Sequence, residues 1–264
     1  MPQRFRRLED SLRTGSLLTP ILEKALLTRA SQAWPEEYPI RVYNKERHWD
    51  GFFHPSSHCD TPEMLLYYMF NPKVDLPIEK HSIDTIMNFQ VGSVLHAMVQ
   101  SLLIETELTT VDEVEVEFKN TEHNVTGTVD VRKIFLPSGE ILPLEFKTAS
   151  YIPKELRLED RFYGSYLRQF QVYMDIGCEE PQEKGIMLFM GKPSPHKFKE
   201  FIIYRDETIL NDIYSKWSRV LEAIAFEDPT MLEFPCHEPN SKSHLECPAQ
   251  NICKLGPAKT GKLI

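Results

Sequence analysis

The sequence predicts an α/β protein built on a mixed sheet, and three observations carry that prediction. Apolar residues recur at helical spacing up to about residue 108, and then with period two or in short β-branched runs. The resulting order is helix, three strands, helix, two strands, helix, which suits a layered α/β domain. The chain has 264 residues, 41% of them hydrophobic and 26% charged, so it can bury a sizeable core.

The elements follow in order. Residues 18–31, LLTPILEKALLTRA, predict a helix after Pro20. Residues 32–58 are irregular, with several Pro, His and aromatic residues. Thr61 and Pro62 form a helix start, with Thr at the cap and Pro in the first turn, and EMLLYYMF continues it. Residues 84–108 predict a long, largely apolar helix containing Ile86, Phe89, Val94, Leu95, Met98 and Leu102. Alternation in 114–118, VEVEF, predicts a half-buried strand, and 125–131, VTGTVDV, a second. Pro137, Ser138 and Gly139 make a turn into a third strand at 141–147. A helix at 160–176 is followed by strands at 185–190 and 198–204, separated by the turn KPSPH. The last helix, 207–226, places apolar residues at 209, 210, 213, 217, 220, 221 and 224. Residues 229–264 lack periodicity and need some other means of order. There is no internal repeat.

Composition excludes several classes. Lys plus Arg is 30 against 39 Asp plus Glu, a net charge of −9. That balance argues against indiscriminate coating of nucleic acid, but it allows an enzyme with one basic groove and carboxylates around metal ions. No apolar run reaches the roughly 18 residues of a membrane span. MPQRFRRLEDSLRTG is followed by no signal-type apolar stretch, so a cytoplasmic protein without a membrane partner is expected. Five cysteines in such a chain are not a disulfide framework, and three of them (Cys236, Cys247, Cys253) crowd into the tail.

Asp130 lies inside a β-branched strand, where a charge is costly unless paired or metal-bound. Glu145 and Lys147 are two apart on the next strand and share a face, while Phe146 points to the other face and the core. If the strands are adjacent, the three groups converge. A hard divalent cation relieves the repulsion of two carboxylates, and a lysine beside it orients water and stabilises charge on a phosphate. Alone, a Glu-x-Lys pair reads as a solvated ion pair. Glu115 and Glu117, one strand earlier, read as ordinary solvent-facing charges.

GTVDV followed by LPLEFKTAS resembles the motifs of the PD-(D/E)XK nuclease superfamily. His96 in GSVLH, on a helix upstream, is similar to the extra metal-binding histidine of the RecB-like branch. Gln169 and Tyr173 in QFQVY match that branch's Q-x-x-x-Y helix, so the resemblance covers about residues 92–173. It implies a restriction-endonuclease-like core with a central mixed sheet flanked by helices. It also implies a Mg²⁺ or Mn²⁺ site ligated by His96, Asp130, Glu145 and the backbone carbonyl of Phe146. Lys147 would position the attacking water, and Gln169 and Tyr173 would contact the DNA backbone or hold Lys147. Lys154, Arg157, Arg161 and Arg168 surround these in sequence and suit a phosphate track, or else a solvated face paired with Glu155, Glu159 and Asp160.

The cysteines extend the resemblance. One RecB-like branch, which includes CRISPR-associated and phage-encoded exonucleases, carries an iron–sulfur cluster on one Cys before the core and three near the C-terminus. Cys59 and the C-x10-C-x5-C series of Cys236, Cys247 and Cys253 resemble that arrangement. The spacing of ten, where the branch more often has two, and the missing Arg after the first of these are departures. The implied [4Fe–4S] cluster has a structural zinc site, recruiting His237 or His244, as its alternative. Closing the loop from 59 to 253 would contribute about 5 kcal/mol by the entropy formula for cross-links. Cys178 reads as a plain structural thiol.

The expected organisation is one nuclease domain: an N-terminal helical segment at 1–82, a core at 83–228 and a cysteine-rich tail at 229–264. The expected activity is metal-dependent hydrolysis of DNA from ends, single-stranded or opened, in a bacterial, archaeal or phage-infected cell. Recombination or CRISPR-adaptation proteins are the implied partners, and oligomer formation stays open. The alternative is a catalytically inactive DNA-binding or assembly module, against which the intact Asp130, Glu145 and Lys147 count.

Overall fold

The computed structural model describes residues 17–29, 50–74, 83–160, 163–192 and 198–233. Helices α1 (Thr19–Arg29), α2 (Pro55–His58), α3 (Glu63–Phe70) and α4 (Ile83–Glu105) come first. Strands β1 (Val114–Asn120), β2 (Val125–Phe135) and β3 (Ile141–Ala149) follow. Then come α5 (Tyr163–Ile176), β4 (Lys184–Gly191), β5 (Phe198–Tyr204) and α6 (Glu207–Ala225). The predicted turn between β2 and β3 closes through Leu136 N–H to Glu140 O at 2.9 Å, with Gly139 at φ 85°. Most of the predicted KPSPH turn, residues 193–196, lies outside the described residues.

The strands form one sheet in the order β1-β2-β3-β4-β5. β3 and β4 run parallel, and the other neighbouring pairs are antiparallel, so the sheet is mixed. Parallel strands cannot be joined by a hairpin, and α5 supplies the crossover between β3 and β4.

Helices cover both faces, and alternation along the central strands shows how. Leu142, Leu144 and Phe146 of β3, with Ile186, Leu188 and Met190 of β4, pack with Leu18 and Leu22 of α1 and Val99, Leu102 and Leu103 of α4. Met187 and Phe189 turn the other way, onto Leu167, Phe170, Tyr173 and Met174 of α5. A strand buried on both faces reads as the near-continuous apolar run that residues 185–190 display. A third cluster joins α3 to α6 around Phe53 and Trp217, whose rings stack at 4.8 Å.

The long helix departs from expectation in its first half. Ile86, Phe89 and Val94 are 46%, 58% and 51% exposed among the described residues. Continuous burial begins only near Ala97, because there α4 comes to lie over the sheet.

Two buried polar contacts tie distant segments together. Lys216 of α6 donates to the carbonyls of His58, Cys59 and Thr61, which seats α6 against the turn after α2. Glu200 of β5, 2% exposed, accepts from the backbone N–H groups of Leu17, Leu18 and Thr19 and from the Thr19 hydroxyl. A carboxylate from another element thus caps the start of α1, where unpaired N–H groups and the helix dipole favour negative charge. Glu200→Ala leaves those donors unsatisfied in a buried setting and is expected to destabilise the protein by about 2–4 kcal/mol. Urea denaturation checks it; a loss no larger than that of an exposed surface substitution would show that the cap contributes little.

Candidate active site

The site lies where the sheet forks. The β2–β3 ladder runs through Phe135↔Ile141 and Ile134↔Leu142 to Val131↔Leu144. Beyond it, the Phe146 N–H donates to Asp130 Oδ2 at 2.7 Å, so a side chain takes the place of a strand carbonyl. β3 continues in register with β4 through Glu145↔Met187 and Lys147↔Phe189, so it is β2 that peels away. Val131 packs on the α4 side of the sheet and Val129, two residues earlier, on the α5 side, which marks a twist in the strand at Asp130. The predicted adjacency of β2 and β3 holds, and the three charged groups lie between interior strands rather than at an outer edge of the sheet.

One side of the fork is closed by α4. His96 Nδ1 lies 3.7 Å from Asp130 Oδ1, and its ring meets the Phe146 ring edge-on at 4.7 Å. Burial, followed by the positive charge of Lys147, pulls the His96 pKa down to about 4, which leaves a neutral imidazole with a lone pair. Glu115 also arrives here. It sits in β1 between the pairs Val114↔Val131 and Val116↔Val129, which places it opposite Asp130. Its φ of 52° is a left-handed conformation rare for a residue of this kind. Gln100 of α4 donates to Glu115 Oε1 at 2.6 Å. Ligand atoms of His96, Glu115 and Asp130 all lie within 4.8 Å of one another. Sequence reasoning read Glu115 as solvent-facing charge, because alternation in VEVEF carries no sign of the positive φ.

On the α5 side, Glu145 is 1% exposed. Its Oε1 accepts from Lys147 Nζ at 2.5 Å and from Gln169 Nε2 at 2.9 Å. Gln169 Oε1 accepts from Lys147 at 3.1 Å, and Gln169 Nε2 also donates to Tyr173 Oη at 3.0 Å. Gln169 and Tyr173, four apart on one helix face, therefore hold the Glu145–Lys147 pair from above. Both are buried, and in this arrangement they face the pair. Burial, and then the Asp130 charge, raises the Glu145 carboxyl well above the usual carboxylate range. Burial acts to lower Lys147, but Glu145 and Asp130 outweigh it and keep the ammonium charged. Among the described residues, the buried Glu145 Oε2 has no hydrogen-bond partner. Asp130, a neutral histidine and a buried carboxylate that feels the Asp130 charge make a donor set of a kind that fits a divalent cation with oxygen and nitrogen ligands.

Two of the predicted basic residues pair with carboxylates. Arg168 pairs with Asp60 at 2.8 Å, and Arg157 pairs with Glu155. The Lys154 carbonyl accepts from Lys199 at 2.9 Å. Arg161 lies outside the described residues, as do Cys236, Cys247 and Cys253. Cys59 is buried in the α3–α6 cluster and opens on a cavity of about 180 Å³ that it lines with Leu158, Arg168, Ile209, Asp212, Ile213 and Lys216. Burial pushes its thiol pKa up, against the opposing pull of Lys216. Cys178 sits in different surroundings, after α5 and among Arg132, Glu113, Lys133 and Glu179.

No family model matches the sequence, and no curated protein matches it. Among solved structures the chain is similar to LHK-Exo, solved in complex with dAMP. The two share 14% identity at a TM-score of 0.40, over 67% of this chain and 89% of that one. A likeness of this degree leaves function to be argued from the chain's own residues.

Proposed function

We propose that this chain is a divalent-cation-dependent deoxyribonuclease that hydrolyses phosphodiester bonds at DNA ends. The reading rests above all on one observation: Asp130 stands in the β2–β3 fork 3.7 Å from His96 Nδ1, and its charge acts on the buried Glu145, whose Oε2 has no hydrogen-bond partner among the described residues. The motif resemblance supplies DNA as the substrate.

In this reading Asp130, Glu145, the Phe146 carbonyl and His96 hold Mg²⁺ or Mn²⁺. The cation, when bound, offsets charge on the phosphate oxygens and acidifies a water. The Lys147 ammonium orients the attacking water and faces the charge that develops on the phosphate. Gln169 fixes Lys147 and Glu145 together, and Tyr173 fixes Gln169. Phosphate contacts fall to Lys154, Arg157, Arg161 and Arg168; Arg157 and Arg168 would exchange a carboxylate for a phosphate on binding.

The four cysteines Cys59, Cys236, Cys247 and Cys253 are proposed to hold a structural [4Fe–4S] cluster. Cys59 lines a cavity with Arg168, Asp212 and Lys216, which leaves room beside its sulfur. Iron and sulfide analysis of anaerobically purified protein tests this, and stoichiometric zinc without iron would replace it.

The activity is tested on end-labelled single- and double-stranded DNA with Mg²⁺ or Mn²⁺. Release of short products from an end, stopped by a chelator, is expected. Intact DNA with every divalent ion supplied would refute a nuclease and favour a binding module.

A further inference from the structure

We propose that Glu115 is an additional protein ligand of the divalent cation and acts with His96 and Asp130 as a three-residue set. This rests on the metal-site reading above and adds a residue that the motifs do not include. The set draws on three elements: His96 from α4, Glu115 from β1 and Asp130 from β2. Their ligand atoms lie within 4.8 Å of one another, a spacing from which small movements reach the 2.0–2.6 Å range of metal–oxygen and metal–nitrogen bonds.

Three features distinguish this set from a chance meeting of surface charge. It includes a mostly buried imidazole as well as carboxylates. Gln100, 7% exposed, holds Glu115 Oε1 at 2.6 Å and reaches the Asp130 carbonyl at 3.4 Å, so one side chain orients the strand pair that carries both carboxylates. Independently, the buried Glu145 Oε2 has no hydrogen-bond partner among the described residues, and the charges of Asp130 and Glu115 both act on that carboxylate. A cation placed among three neighbouring carboxylates offsets the cost of having them ionised together. The φ of 52° at Glu115 brings its side chain to the fork; a regular strand conformation there would follow the alternation of its neighbours.

The test is Mn²⁺ binding by the purified full chain, followed by the electron paramagnetic resonance of free Mn²⁺ and by the Mn²⁺-induced rise in melting temperature. Glu115→Gln is expected to weaken Mn²⁺ binding at least tenfold. Glu117→Gln, two residues along the same strand, is expected to bind as wild type does. Glu115→Gly covers the chance that the first variant folds poorly, because glycine accepts a positive φ without strain. It is expected to melt within a few degrees of wild type while still losing Mn²⁺ affinity. Wild-type affinity in a folded Glu115→Gln or Glu115→Gly protein, together with its loss in Asp130→Asn, overturns this inference and leaves the nuclease reading standing. If the wild-type protein binds no Mn²⁺ at all, both fall.

Discussion

Asp130→Asn is expected to lower DNA cleavage more than a hundredfold and to leave the metal-free protein at least as stable as wild type. The two effects have one cause. Asp130 and Glu145 are buried together beside the ammonium of Lys147; burial raises both carboxyls, and the Asp130 charge raises Glu145 further, so keeping both ionised without a cation is costly. Asparagine is close to the same shape, and its carbonyl oxygen can still accept the Phe146 N–H that Asp130 Oδ2 accepts at 2.7 Å. The substitution leaves Glu145 and Lys147 as a neutral pair, and relief of repulsion contributes about 1 kcal/mol, or about 2–4 °C in melting temperature for a chain of this size. Catalysis suffers because an amide is a far weaker ligand than a carboxylate for a hard cation, and loss of one preorganised charge at a phosphate typically costs about 10²–10³ in rate. Calorimetry without metal and single-turnover cleavage with Mn²⁺ read the two effects separately. A folded Asp130→Asn protein that cuts at near the wild-type rate would remove Asp130 from the chemistry. A folded Asp130→Asn protein clearly less stable than wild type without metal would mean that the charged bond from Asp130 to the Phe146 N–H outweighs the repulsion at the site.

How much of this was legible in the sequence differs residue by residue. Asp130, Glu145 and Lys147 stood out because charges inside β-branched or apolar strands conflict with burial, and the period of two placed the last two on one face. Gln169 and Tyr173 were singled out by the motif resemblance, and their spacing of four put them on one helix face. What they do was not, because their hydrogen bonds to Glu145 and Lys147 depend on where α5 crosses β3. His96 is one histidine in an apolar helix, and only the motif resemblance singled it out. Glu115 was missed for a physical reason: alternating Val and Glu also describe a strand with one wet face, and a positive φ leaves no mark on the composition. Glu200 was equally hidden, since its partners begin 181 residues away at Thr19. The pairing of Arg168 with Asp60 joins α5 to the loop before α3, a contact that no local pattern announces. The exposed first half of α4 shows the converse limit: its apolar residues predicted a helix correctly, yet periodicity could not say where the sheet beneath it would begin.

Lys147→Ala is expected to lower kcat by about 10²–10³ while changing KM little, because the proposed contribution of its charge appears only as negative charge develops on the phosphate. The geometry favours a fixed group over a loose anchor. The ammonium lies 2.5 Å from Glu145 Oε1 and 3.1 Å from Gln169 Oε1, and 4.8 Å from the centre of the Tyr166 ring. Glu145 and Asp130 keep it charged despite burial. Lys147→Arg should not restore the rate, since a planar guanidinium cannot fit a space bounded by Glu145, Gln169 and Tyr166 without moving them. Gln169→Leu offers a graded comparison: it removes one of the two oxygens holding Lys147 and the donor to Glu145, so kcat should fall, but by less than in Lys147→Ala. Steady-state kinetics over a range of DNA concentrations, paired with DNA binding in Ca²⁺, separates turnover from affinity. If Lys147→Ala binds DNA poorly yet turns over normally at saturation, Lys147 holds the phosphate in the ground state, and the water-positioning role belongs to another group in the fork.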